Sequence, residues 1–168
     1  MMNDIKDLLT MQWLDVSIIQ VFIMYLHRLC NQIGIDSVGF LCPTQIAKAT
    51  LDLNCDVVTA YIGNTMVTLQ DKTFILAPYH QSAFRSYMNQ RGQRAKKLAQ
   101  WKNVKCPQQP GGVECGYYVM KYMHDLCTKY STYTFLDKVF QDRTTPYSIE
   151  EIDEIREMWA KYFCKECV

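Results

Sequence analysis

Glycine and proline are scarce in this chain, with seven glycines and five prolines in 168 residues. That scarcity leaves no room for long flexible linkers, and no low-complexity segment or internal repeat is present. An excess of charge of one sign is also lacking. Eighteen Lys and Arg face seventeen Asp and Glu, a net charge of +1, so no dominant polyanionic partner such as DNA is implied. Long apolar runs are missing. The most apolar stretch, residues 16–26, contains Ser17 and Gln20 and is too short and interrupted to span a bilayer. The first ten residues hold Asp4, Lys6 and Asp7 and no apolar block, so no secretory signal peptide is expected. Histidine is limited to His27, His80 and His124, and none of them precedes a tryptophan.

What remains is ordinary for a globular domain. Hydrophobic residues make up 49% and charged residues 21%, enough to build one core over residues 1–168. Eight cysteines without a signal peptide point to a reducing compartment and unbridged thiols. Cys30, Cys42, Cys55 and Cys127 are expected as small buried apolar residues. Cys164 and Cys167 form a lone Cys-x-x-Cys with no second pair and no nearby histidine to complete a zinc site. No metal and no cofactor are expected.

Hydrophobic periodicity predicts a helix over residues 13–33, with Asp15 as N-cap, Gly34 as the stop, and Ile18, Ile19, Phe22, Leu26, Leu29 and Cys30 on its buried side. A short helical turn is expected over 43–49 and a helix over 55–69. Residues 72–79, with Phe74-Ile75-Leu76-Ala77, read as a buried strand ended by Pro78. A short helix over 82–90, a polar basic connector over 91–97 and a second strand over 101–106 follow. Arg91, Arg94, Lys96 and Lys97 read as a solvated connector rather than a nucleic-acid site. Residues 115–127 read as helix, with Tyr118, Val119, Tyr122 and Leu126 on the face of Cys115. Ser148 and Glu151 form a capping box for the last helix, whose buried stripe is Ile152, Ile155, Trp159, Tyr162 and Phe163.

Residues 106–120 carry the chemistry. Cys115 follows a Pro-Gly-Gly turn and opens a helix. A thiol at a helix N-terminus sits at the positive end of the backbone dipole, which favours the nucleophilic thiolate. Gln109 lies six residues upstream, across the turn, and its amide can donate to a developing oxyanion.

The run Gln109-Pro110-Gly111-Gly112-Val113-Glu114-Cys115-Gly116-Tyr117-Tyr118-Val119 resembles the nucleophile motif of the ubiquitin-like-protein-specific (SUMO-specific) cysteine proteases. Trp13-Leu14-Asp15 resembles that family's N-terminal Trp-Leu-Asn/Asp element. The chain looks most like the transposon-associated plant copies, with counterparts for 74–81, the basic connector and the motif around Cys115. The resemblance covers roughly residues 11–163. It implies an α+β, papain-like fold, helix-rich with a mixed sheet. It also implies a nucleophile at Cys115, an oxyanion donor at Gln109, and Trp13 with Asp15 on the substrate's Gly-Gly tail. The partner implied is a SUMO-type ubiquitin-like modifier or its conjugates. A monomer in the nucleus or cytoplasm is expected.

The family's mechanism runs in the chain order His, Asp, Gln, Cys, with the His usually followed by Trp. The His and Asp have no match here. His124 follows Cys115 by nine residues in one helix, which puts it roughly 13 Å away on the opposite face. His27 falls outside the order. His80 is the remaining candidate base, although in the plant copies this Tyr-His precedes the catalytic His-Trp. Two strands of about five or six residues would fill most of the space between Gln81 and Trp101, yet 82–97 has no strand-like run. The block bearing the His and Asp strands is therefore expected to be missing near 81–100, through a gene deletion or a misassigned exon. Two functions follow: a peptidase or isopeptidase cutting after Gly-Gly through a Cys115 thioester, or a catalytically dead remnant that at most binds a ubiquitin-like protein. A chain without the imidazole is expected to be weakly active or inactive. An inert transposon-derived product is the third reading.

Overall fold

The structure, a computed structural model, describes residues 2–78, 89, 104–130, 139–141 and 143–168. Those residues form a helix-rich α+β molecule: α1 (Met2–Leu9), α2 (Val16–Gln32), β1 (Val38–Phe40), α3 (Lys48–Leu53), α4 (Cys55–Thr68), β2 (Phe74–Leu76), α5 (Cys115–Thr128) and α6 (Ile149–Glu166). Contacts cluster into two compact units. One joins the chain's two ends, through Asp36 and from Val104 onward; the other runs from Ser37 to Asn103.

In the second unit β1 and β2 pair in parallel, with Val38 opposite Phe74, Gly39 opposite Ile75 and Phe40 opposite Leu76. A parallel pair needs a crossover, which α3 and α4 supply. Leu41, Ile46, Leu51, Val58 and Ile62 form its core. The helix expected over 55–69 is present, and so is a strand within 72–79, but Phe74–Leu76 is only half-buried where a buried strand was expected. The turn expected over 43–49 occupies 43–46, and a helix not read from the sequence, α3, begins at Lys48. Strand β1 was not expected either. Its Gly39 gives no side-chain signal, and a Cβ there would lie 2.7 Å from Leu69 Cδ1. Cys42 and Cys55, expected buried, are only partly so.

In the first unit α5 packs against both α2 and α6. Helix α2 starts as the sequence indicates. Asp15 Oδ1 accepts the Ser17 N–H at 2.8 Å, and that bond holds the Asp15 carboxyl below its usual value. Gly34 follows the helix at φ 72°, the left-handed geometry of a helix stop. The Ser148–Glu151 capping box opens α6, and Ile152, Ile155, Trp159 and Phe163 are buried along it. Trp159 stacks on Phe163 and its Nε1–H donates to Ile18 O at 2.9 Å, tying α6 to α2. Tyr162, expected in that stripe, is only half-buried. Cys30 and Cys127 are buried as expected, and the described cysteines form no disulfide.

Helix α5 departs from its expected face. Tyr118 is buried, but Tyr117, Met120, Met123 and Cys127 are buried as well, while Val119, Tyr122 and Leu126 are only partly covered. Packing on two neighbours spreads burial around the helix. It even encloses Lys121 and Asp125, which pair at 3.1 Å. Helix α1 was not read from the sequence. The short helix expected over 82–90, the connector over 91–97 and the start of the strand over 101–106 lie outside the described residues, apart from residue 89. Residues 104–106 are not strand.

Candidate active site

Local chemistry fixes how residues 104–114 approach α5. Pro107 is fully buried. The Tyr122 hydroxyl donates to Pro107 O, and the Gln108 N–H donates to Thr144 O at 3.1 Å. Burial, with the Cys106 thiol beside it, pushes the Tyr122 hydroxyl well above the usual phenol range, so it stays a donor. The segment is thus pinned immediately before Gln109.

The chain then turns through Pro110–Val113 and enters α5 at Cys115. Gln109 Nε2 donates to Gly111 O at 2.8 Å and to Cys115 Sγ at 3.1 Å. One amide nitrogen carries two hydrogens, so both bonds are satisfied at once. The thiol in turn points at Gly112 O, 3.8 Å away. Cys115 is exposed. The first helical bond of α5 is Tyr118 N–H to Glu114 O at 3.0 Å, so the amides of the first turn lie at an open helix end beside the sulfur. A carbonyl carbon brought to Sγ would meet the Gln109 amide and those N–H groups around its oxygen.

Three features of this site escaped the sequence reading. Gly116 leaves space for Leu14: a Cβ at 116 would lie 2.9 Å from both Leu14 Cβ and Leu14 Cδ1. The Trp13-Leu14-Asp15 segment is therefore seated on the first turn of α5, with Trp13 64% exposed next to it. Glu114 folds its carboxylate over Gly111, and Oε2 is buried with no hydrogen bond among the described residues. Tyr117 sends its hydroxyl to the end of α1, 3.1 Å from Asp7 O and 3.1 Å from Gln12 O. Burial raises that phenol to about 12, so it remains a donor at every ordinary pH. The glycine after the cysteine was the one available signal, since a glycine inside a helix marks a close approach.

The structure thus brings Gln109 and Cys115 together and seats Leu14, between Trp13 and Asp15, against the same helix. Asp15 serves as the N-cap of α2. His80 lies outside the described residues. His124 sits on α5 with Nδ1 3.8 Å from Asp125 Oδ1, beyond hydrogen-bond reach, and His27 Nδ1 meets Asn31 Nδ2 at 3.4 Å on α2. No group of three or more His, Cys, Asp or Glu among the described residues is placed to hold a metal ion. No described helix is long and apolar enough to cross a membrane.

No curated protein and no solved structure matches the chain. Residues 64–162, well over half of its length, match the Ulp1 protease family, C-terminal catalytic domain. The matched stretch contains the Gln109–Cys115 pair and stops short of Trp13. With that match and a thiol bonded to a glutamine amide at the head of a helix, the chain belongs to the Ulp1 protease family, the SUMO-specific cysteine proteases that act on ubiquitin-like modifiers.

Proposed function

We propose that the chain is a peptidase or isopeptidase of papain-like fold that cuts after the Gly-Gly tail of a SUMO-type modifier. The observation that carries the reading is the 3.1 Å contact of Gln109 Nε2 with Cys115 Sγ at the start of α5. Cys115 attacks the terminal glycine carbonyl, and the carbon–sulfur bond forms as the carbonyl electrons move onto oxygen. Gln109 Nε2–H and the amides of the first helical turn take up the oxyanion. Collapse expels the amine and leaves a thioester, which water hydrolyses. The thiol proton must reach a base and return to the departing amine. His80 is the nearest of the three histidines to that role in chain order, although the family resemblance aligns it just before the catalytic His-Trp. Trp13, exposed beside Leu14, covers the narrow Gly-Gly tail, and Asp15 stays committed to its cap.

Turnover is expected to be slow, because the chain has no His-Trp pair. The same observation favours a second reading, a remnant that binds the modifier without cutting it. The test is release of a fluorophore from a SUMO-type modifier whose C-terminal Gly-Gly is amide-linked to it. Release should be lost in Cys115→Ala and fall by about a hundredfold or more in Gln109→Ala. Capture of the modifier by both the chain and Cys115→Ala, with no release by either, would leave only the binding reading.

A further inference from the structure

The glutamate before the nucleophile is in an unusual position. Glu114 is the N-cap of α5, yet its side chain makes no capping hydrogen bond. It turns back over the preceding loop instead. A Cβ built on Gly111 would lie 2.8 Å from Glu114 Oε1 and 2.8 Å from Oε2. The Cα–H of Gly111 that occupies the Cβ direction therefore points between the two carboxylate oxygens, a weak but directional contact. Oε2 is buried and has no other partner among the described residues. The Gly111 carbonyl is also the acceptor that holds Gln109 Nε2 at 2.8 Å while the same nitrogen reaches Cys115 Sγ. A chain of contacts thus runs from the Glu114 carboxylate through Gly111 to the Gln109 amide.

We infer that Glu114 is a positioning residue: its carboxylate clamps Gly111 so that the Gly111 carbonyl holds the Gln109 amide at the reacting centre. The inference rests on the proposed carbonyl chemistry at Cys115 and deepens it. It gives an alanine at 111 a specific consequence, since the flexible Glu114 carboxylate would have to swing away and release the clamp. Gly111 is not in the left-handed region, so an alanine there meets no backbone strain. The nearest obstacle to it among the described residues is the Glu114 carboxylate. Glycine at 111 and glutamate at 114 act as one device.

A mutant cycle tests this. Glu114→Ala and Gly111→Ala should each slow fluorophore release from the Gly-Gly amide by about tenfold or more, as misplacement of a catalytic group does. In the double variant Gly111→Ala should add nothing to Glu114→Ala, because the obstacle is gone. Glu114→Ala should also add nothing in a Gln109→Ala background. Alkylation of Cys115 by iodoacetamide, which forms no oxyanion, should stay within about twofold of the parent in Gly111→Ala and Glu114→Ala, whereas general loss of the fold would disturb it. A second readout needs no turnover. The side-chain amide protons of Gln109, read by ¹⁵N–¹H NMR, should lose exchange protection in Glu114→Ala and retain it in Cys115→Ala. Absence of release in the parent together with that NMR change would overturn the peptidase reading and keep the clamp. Independent, additive costs of Gly111→Ala and Glu114→Ala, or unchanged Gln109 protection in Glu114→Ala, would overturn the clamp.

Discussion

Gly116 and Gly112 stand four residues apart on either side of the helix start, and the structure assigns them opposite tolerances. A methyl group at 116 would lie 2.9 Å from Leu14 Cβ, an atom with no rotamer freedom to move aside. Either the Trp13–Asp15 segment lifts or α5 shifts. A methyl at 112 would meet nothing within 4 Å among the described residues, and the backbone there is not left-handed. Gly116→Ala should therefore cost about 1–3 kcal/mol as an overpacked contact, while Gly112→Ala should stay within about 0.5 kcal/mol. Urea midpoints of the two variants decide the matter, and equal midpoints would contradict the seating of Leu14 on α5. At this scale the sequence was partly readable. Cys115 and Gln109 stood out because a turn separates a nucleophile from an amide donor. The Glu114 carboxylate over Gly111 did not, because a side chain folding back over its own loop leaves no periodic trace.

The elements that announced themselves are those with a local cause. Ser148 and Glu151 exchange side-chain and backbone bonds three residues apart, and that box was legible at sight. The box has a further partner that sequence spacing cannot supply. Arg143 bonds both oxygens of Glu151, at 2.9 and 2.8 Å. That pair holds the Glu151 carboxyl down to about 2, against some opposition from burial. The folded-state value lies below the unfolded value of 4.5, so the unfolded chain binds the extra proton. The stabilisation is complete above about pH 4.5 and is lost as pH falls toward 2. Asp125 adds to the trend. Burial raises its carboxyl, but the Lys129 and Lys121 ammonium groups, at 2.9 and 3.1 Å, outweigh burial and hold it low. Urea midpoints measured from pH 5 to pH 2 should fall, and Glu151→Gln should flatten the slope. Parallel slopes for the two proteins would count against the Arg143 pair. The elements that stayed silent have tertiary causes. Strand β1 is three residues long with a glycine at its centre, too short for an alternation. Helix α3 has six residues, of which only Leu51 is buried. Lys121 and Asp125 are enclosed because α5 has neighbours on two sides, which no single-helix pattern reveals.

At the scale of the whole molecule, the division at Asp36 has a local trace in composition, with Gly34, Ser37 and Gly39 around it, whereas Lys102-Asn103-Val104-Lys105 gives none at Val104. The unit that holds the candidate site is built from the two ends of the chain, and side chains of the later segment donate to backbone carbonyls of the earlier one. Arg156 Nε donates to Leu8 O at 2.9 Å, and its Nη2 donates to Leu9 O. Trp159 reaches Ile18 O from α6. Tyr117, one turn from the nucleophile's end of α5, offers its single O–H to the carbonyls that end α1. Leu8 itself is fully buried. The sequence hid α1 because Asp4, Lys6 and Asp7 mask its one strongly buried leucine. Deleting residues 1–9 should therefore act well beyond the deleted segment. It removes the Leu8 side chain from the core, a loss of about 2–5 kcal/mol for a buried leucine. It also takes away acceptors of Arg156 and two of the carbonyls near the Tyr117 hydroxyl, and any buried donor left unmatched adds about 1–3 kcal/mol. The deletion variant should unfold at a distinctly lower urea concentration than the full chain. Its Cys115 should also alkylate as part of a looser helix, with the rate rising before the global transition. A midpoint and an alkylation rate equal to those of the full chain would mean that α1 is not part of the unit that carries the site.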